Sequence, residues 1–443
     1  MKFIKSLYLN NFFFYVFCGI LVCFTVSAFF PVIYNAVWLL FYVFTAFTLL
    51  DILLLFATKQ SVKAWRTLPE KFSNGDENPV AVSVENNYSF PLRVKIIDEM
   101  PEQFQIRDFD IQRNVSAGKI HTSEYNLRPV ARGEYHFGRL NIYVSSPLRL
   151  ASRRYIFEEG TMVPTYPSYI QLRKYDLIAF SNKLHQYGIK KIRKLGHTME
   201  FEQIKEYVSG DDIRTINWKA TAKKNQLMVN QFQDEKSQSV YMAIDKGRVM
   251  KMPFNGLSLL DYAINSSLVL SNVILKKQDK AGIFAFSKKI ENRVVAERRG
   301  SQMQRILENL YNIKTDFFES DYGRLYADIK RNITQRSLIL LYTNFETLDG
   351  LNRQLPYLKG IAKSHLLVVV FFENTELEEL INKKADNTQE VYDQVIAEKF
   401  AFEKRLIVNE LRKYGIHSIL TKPESLTIDS INKYLEIKAR GIL

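Results

Sequence analysis

From Leu7 to Leu50 no position holds Asp, Glu, Lys, Arg or His, whereas the rest of the chain mixes polar and apolar residues at short periods. Pro31 and Asn35 interrupt the uncharged run near its middle. Each half, about 11–30 and 33–56, approaches the roughly 20 residues that carry a helix across a bilayer core. The pattern predicts two membrane spans joined by a tight turn, with Trp38 and the tyrosines suited to the interfaces. The run continues past Val26-Ser27-Ala28, which argues against a cleaved leader ending there.

Residues 79–166 behave differently. Stretches such as Val80-Ala81-Val82-Ser83-Val84 and Leu92-Arg93-Val94-Lys95-Ile96 alternate with period two and are separated by Asn, Pro and Gly. About seven such stretches, with no helical period between them, predict an immunoglobulin-like β-sandwich. Arg132-Gly133-Glu134-Tyr135 reads as a turn entering a strand. Ile170 to about Tyr187 reads as helical, and Lys190-Lys191-Ile192-Arg193-Lys194 as a solvated basic linker.

From Ser239 the pattern alternates between strand and helix. Val240–Ile244, Gly282–Phe286, Leu338–Tyr342, Leu366–Phe372 and Ile416–Leu420 are near-continuous apolar runs, the mark of strands buried on both faces. Leu257, Leu260, Ile264 and Leu268 form a helical stripe, and Gln304–Tyr311 and Val391–Arg412 read as helices. A mostly parallel, Rossmann-like α/β sheet follows, in which ligands bind beyond the carboxyl ends of the strands. Asp245 and Thr343-Asn344 fall at such ends. The expected divisions are 1–66 for the spans, 69–168 for the sandwich, 169–236 for a linker and motif, and 237–443 for the α/β domain.

Charge adds a topology. Lys2 and Lys5 precede the spans, Lys59, Lys63 and Arg66 follow them, and the turn is uncharged, so both ends are expected in the cytoplasm. Asp51 is expected near the interface. Cys18 and Cys23 both lie in the first span, which leaves the rest without a thiol for a disulfide or zinc site. The net charge of +14 suits a surface facing anionic lipid. Nucleic acid is not expected, because the basic run lacks interleaved aromatics. No phosphate-binding Gly-x-x-x-x-Gly-Lys motif appears, and the six histidines show no metal-ligand spacing. No cofactor is expected.

Ahead of the α/β domain runs a stretch from Glu200 to Ala220 that is dense in ordered charge. Glu202 and Glu206 are expected on one side of an extended segment, Gly210 at a turn, and Asp211 or Asp212 as a helix cap, with Arg214 and Lys219 neutralising the carboxylates. The stretch closely resembles the core motif of the bacterial family catalogued as domain of unknown function 58, roughly F-E-x-x-R-E-Y-x-x-G-D-D-x-R-x-I-D-W. Phe201, Glu202, Glu206, Tyr207, Gly210, Asp211, Asp212, Arg214, Ile216 and Trp218 fit it, while Lys205 replaces the usual Arg and Asn217 the usual Asp.

The resemblance implies a bacterial inner-membrane protein with two spans, a β-sandwich and a von Willebrand factor A-like domain. It also implies a MoxR-type AAA+ ATPase as partner, and other von Willebrand A-like membrane proteins as further ones. Metal-binding domains of that type carry Asp-x-Ser-x-Ser after the first strand, then a Thr and a second Asp from later loops. Here Asp245 remains, but Gly247 and Val249 take the serine positions and Asn344 follows Thr343 in place of an acid. Magnesium needs a near-octahedral set of hard oxygens, so Asp245 is expected to be structural, bonded to backbone amides or a nearby Arg or Lys. Gly247 likewise removes the second acid of an Asp-x-Asp phosphatase. The expected function is a non-enzymatic, membrane-anchored assembly protein, docking through Glu202, Glu206, Tyr207, Gly210, Asp211, Asp212, Arg214, Trp218 and Lys219. The alternative is a hydrolase using Glu202, Glu206, Asp211 and Asp212.

Overall fold

A computed structural model describes residues 2–57, 61–157, 160–168, 199–234, 237–385 and 387–442. The helix expected from Ile170 and the basic run from Lys190 to Lys194 lie outside the described residues, as does Lys59. The chain divides into two compact units, Met1–Tyr166 and Pro167–Leu443.

In the first unit the uncharged run forms the helices Asn11–Ser27 and Tyr34–Phe56, joined through a short 3-10 turn at Pro31–Ile33. The first helix stops short of residue 30, where proline deprives the next turn of an amide donor. Tyr34–Phe56 is long and apolar enough to cross a membrane, and Asn11–Ser27 is apolar but shorter. Large apolar side chains including Phe14, Tyr15, Leu39, Tyr42 and Leu53 are exposed along both.

Behind the helices stand one five-stranded and two three-stranded sheets. Alternation explains them: in Val62–Thr67 every second residue is buried, and Val82, Val84, Val94, Ile96, Ile142 and Val144 share one core. A second core gathers Phe72, Tyr135 and Phe137. The sheets take in residues ahead of the expected start at 69. Val62–Thr67 pairs with Asn78–Asn86, and Leu7–Leu9, inside the uncharged run, pairs with Ala151–Phe157. Arg66, expected among the charges flanking the spans, is instead buried and ion-paired with Asp98.

Asp51, expected near the membrane interface, packs against the sheet. It is fully buried, accepting hydrogen bonds from Ser146 Oγ and from the amides of Leu150 and Ala151 at 2.9 Å each. One turn on, the carbonyl of Leu55, left unsatisfied by the end of the helix, accepts from Tyr88 Oη at 2.6 Å and Arg153 Nη1 at 2.7 Å. The helix therefore ends on the sheet.

The second unit holds a two-stranded ribbon, Met199–Glu206 with Met228–Asp234, and a six-stranded sheet. The sheet order is Ile290–Glu297, Lys280–Phe286, Ser239–Asp245, Leu338–Tyr342, Leu366–Phe372, His417–Thr421, and every pairing is parallel except that of Ile290–Glu297. Both faces are covered: Val240, Met242 and Ile244 enter one core, Tyr241 and Ala243 the other. On the first face lies the helix Leu259–Lys276, which begins where Ser258 and Asp261 form a reciprocal capping box. Leu257, expected in its stripe, sits instead in a short strand ahead of the cap.

Candidate functional site

Ser239–Asp245 is the first strand of its sheet, and the chain then places strands on both sides of it. Asp245 ends that strand, beside the point where the order changes direction, which is where α/β sheets bind ligands. Its carboxylate is fully buried. The Gly247 amide donates to Oδ1 at 2.8 Å, and the Ser320 hydroxyl donates to the same oxygen. Thr343 Oγ1 donates to Oδ2 at 2.7 Å, with Tyr322 Oη at 3.5 Å from Oδ2 and 2.7 Å from Thr343 Oγ1. Burial pushes the carboxyl above its ordinary range, and the bonds from Ser320, Gly247, Thr343 and Tyr322 pull it back in part. The same burial, together with the charge of Asp245, raises the Tyr322 phenol well above its usual value.

Where amides or a nearby cation were expected around Asp245, the structure places one amide and three hydroxyls. Among the described residues no Arg or Lys bonds Asp245. Lys246 is buried but turns to Glu291 at 2.6 Å and Asp316 at 3.4 Å, and Arg248 faces Glu319 at 3.7 Å on the surface. Val249 packs against the core. Asn344 Oδ1 accepts from Lys404 Nζ at 2.7 Å. Asp321 caps the helix Tyr322–Asn332, and Asp349 lies exposed in the first turn of Leu348–Ser364.

Gly247 has a steric reason. A Cβ there would collide with the Ser320 hydroxyl and stand 2.9 Å from the Phe318 carbonyl and 3.0 Å from Asp245 Oδ1. The hydroxyl that a metal-binding pattern would supply from 247 comes from Ser320, on a loop that closes over the strand end. Ser320 and Tyr322 were missed in the sequence because 75 and 77 residues separate them from Asp245. No group of three or more His, Cys, Asp or Glu that could hold a metal occurs among the described residues.

The motif from Glu200 to Ala220 occupies the ribbon and the turn after its first strand. The ribbon's register shifts by a bulge between Phe201 and Gln203. Gly210 turns the chain at φ +116°, a conformation that favours glycine. Asp211 Oδ2 accepts from the Val208 amide and Oδ1 from Lys205 Nζ, each at 3.0 Å, and these bonds, the amide foremost, hold its carboxyl below the usual range. Asp212 caps the 3-10 turn Ile213–Thr215 through the Arg214 amide at 3.0 Å.

Among the described residues neither Arg214 nor Lys219 ion-pairs with Asp211 or Asp212, and Lys205 pairs with Asp211. Asn217 caps the helix Trp218–Lys224 through the Ala220 amide at 3.0 Å. Lys205 and Asn217, the two departures from the motif, thus both hold the turn together. Tyr207 is partly buried, its amide bonded to Leu227 O at 2.8 Å, while Glu206, Arg214, Trp218 and Lys219 are exposed.

A family model described as protein of unknown function DUF58 matches residues 203–383. That segment takes in most of the motif turn, Asp245 and the Thr343-Asn344 end. Uncharacterized protein YeaD of Bacillus subtilis is 26% identical over 227 residues, 47% of this chain and 54% of that protein. The chain thus spans about half the length of the curated relative it matches. Among solved structures, the SpRpn10 VWA domain is similar over 44% of this chain and 95% of its own length, at 9% identity and a TM-score of 0.29. A PapD-like domain of human CEP192 is similar over 25% of this chain and 91% of its own, at 12% identity and a TM-score of 0.20. Overlaps so loose assign this chain neither fold nor function.

Proposed function

We propose that the chain is a non-enzymatic, membrane-anchored interaction and assembly protein. In this reading the two N-terminal helices form a transmembrane hairpin in the bacterial inner membrane. An immunoglobulin-like sandwich and a von Willebrand factor A-like domain with a lapsed metal site face the cytoplasm, and a MoxR-type AAA+ ATPase is the partner. The apolar lengths of Asn11–Ser27 and Tyr34–Phe56 support the anchor.

One observation carries the docking reading. The motif turn is ordered by its carboxylates, yet it holds Val208, Ile213 and Trp218 in solvent at 63%, 69% and 70% exposure. Three large apolar side chains on one small, internally bonded turn make a surface that gains by being covered, and aromatic residues dominate binding at such patches. Asp211 and Asp212 are occupied in building the turn, which favours docking over the hydrolase reading, since a catalytic acid or base must face a substrate.

The test is a pulldown of the full chain from detergent-solubilised membranes in each nucleotide state, with wild type beside Trp218→Ala. Recovery of an AAA+ ATPase by wild type and its loss with the variant is the expected result. Absence of any ATPase in every nucleotide state overturns the partnership. Labelling from outside intact cells of a cysteine engineered into the sandwich overturns the topology.

A further inference from the structure

A cavity of about 530 Å³ opens in the second unit beyond the carboxyl ends of four parallel strands. Its wall takes Phe254 and Leu259 after the first strand, Asn344 and Glu346 after the second, Glu373, Leu377 and Glu378 after the third, and Leu420 and Pro423 at the fourth. The helix Thr388–Lys413 closes it with Phe400, Ala401, Lys404 and Arg405. That volume lies in the range of small-molecule sites, roughly 300–1,000 Å³, and the place, beside the change of strand order, is where such sheets bind ligands.

The lining is largely apolar, with one cation drawn inward. Lys404 Nζ donates to Asn344 Oδ1 at 2.7 Å and lies 5.8 Å from the Phe371 ring centroid. Burial pulls the amine down to about 8, with the charge of Glu346 opposing. The other acids are placed otherwise: Glu346 is exposed, Glu378 pairs with Lys422 at 2.6 Å, and Glu373 also faces Lys422 electrostatically. The amine therefore has a neutral amide oxygen as its near partner, with Glu346 acting on it only through its charge. A dehydrated ammonium in such a place gains most from a carboxylate that arrives with its own apolar body.

We infer that this cavity binds an apolar carboxylate, its anionic head on Lys404 and the Asn344 amide and its body against Phe254, Leu377 and Phe400. A free aliphatic or aromatic acid and the C-terminus of a chain ending in an apolar residue share that chemistry. Neither Asp245 nor the motif turn takes part, so the proposal stands apart from the docking reading.

The test is protection of the full-length protein in detergent from acetylation by acetic anhydride, read lysine by lysine by peptide mass spectrometry. The probes are phenylacetate and N-acetyl-alanyl-phenylalanine, with their amides as controls. At ten times the half-protecting concentration of an acid that binds, modification of Lys404 should slow about tenfold, while exposed Lys384 and Lys399 are unaffected. Protection by phenylacetate alone indicates a small-molecule source, and protection by the peptide acid indicates a chain terminus. Failure of both acids, or equal protection by the amides, overturns the proposal. Phe400→Ala should raise the half-protecting concentration about tenfold; an unchanged value would place the acid elsewhere and overturn it as well.

Discussion

Asp245 and Asp211 lie in the same unit and both bind a backbone amide two or three residues away, but they solve opposite problems. Asp245 is sealed at the end of a central strand, and its other donors come from Ser320, Thr343 and Tyr322, far along the chain. Asp211 stays near solvent, and its donors, the Val208 amide and Lys205, are its own neighbours. The first carboxylate joins remote segments into one core; the second shapes a local turn whose apolar residues are left uncovered. A carboxylate at a likely-looking position can thus serve cohesion or presentation, and its burial and the chain distance to its donors tell which.

The sharpest way to break the contrast is Asp245→Ala. It strands several buried donors at once and should cost about 3 kcal/mol by denaturant unfolding, with Asp245→Asn milder because the amide preserves shape and one acceptor. A loss below that of an ordinary surface substitution would deny Asp245 its joining role. Gly247→Ser restores the residue of a metal-binding pattern but drives a side chain into Ser320, and should cost about 2 kcal/mol. Stabilisation of this variant by magnesium would reverse our reading of the strand end. At the exposed turn, Gly210→Ala meets the positive φ and should cost about 1 kcal/mol.

The pH dependences should run in opposite directions. Asp245 is raised by burial, so the folded state holds its proton more tightly than the unfolded chain. That stabilisation is full below the ordinary value of 3.8 and is lost as pH rises through the raised folded value. Asp211 is lowered, so its contribution is present above 3.8 and is lost as pH falls through the lowered folded value. Unfolding free energy measured against pH, for wild type, Asp245→Asn and Asp211→Asn, checks both signs; slopes of the same sign would erase the distinction. The smallest expected change in stability is that of Trp218→Ala, within about 0.5 kcal/mol, despite its loss of partner.

The strands of the parallel sheet were legible because burial on both faces writes itself as an unbroken apolar run, as in Leu338–Tyr342 and Leu366–Phe372. The Gly210 turn and the Asp212 cap were legible because their causes are local. What stayed hidden depends on distance along the chain. Nothing beside Asp245 announces Ser320 or Tyr322, and Asn344 gives no sign of Lys404, 60 residues on. Composition also masked structure: Leu7–Leu9 lay inside the uncharged run and Arg66 among the charges after the second span, and nothing local announced their pairing with Ala151–Phe157 and with Asp98.

Asp51 has a mechanical consequence. Its carboxylate grips the Leu150 and Ala151 amides, and Tyr88 and Arg153 clasp the Leu55 carbonyl one turn later, so the last turns of the helix Tyr34–Phe56 are bonded directly to the sheet. Such a joint is a shaft keyed to its wheel: twist applied along the helix reaches the sheet as torque through these bonds.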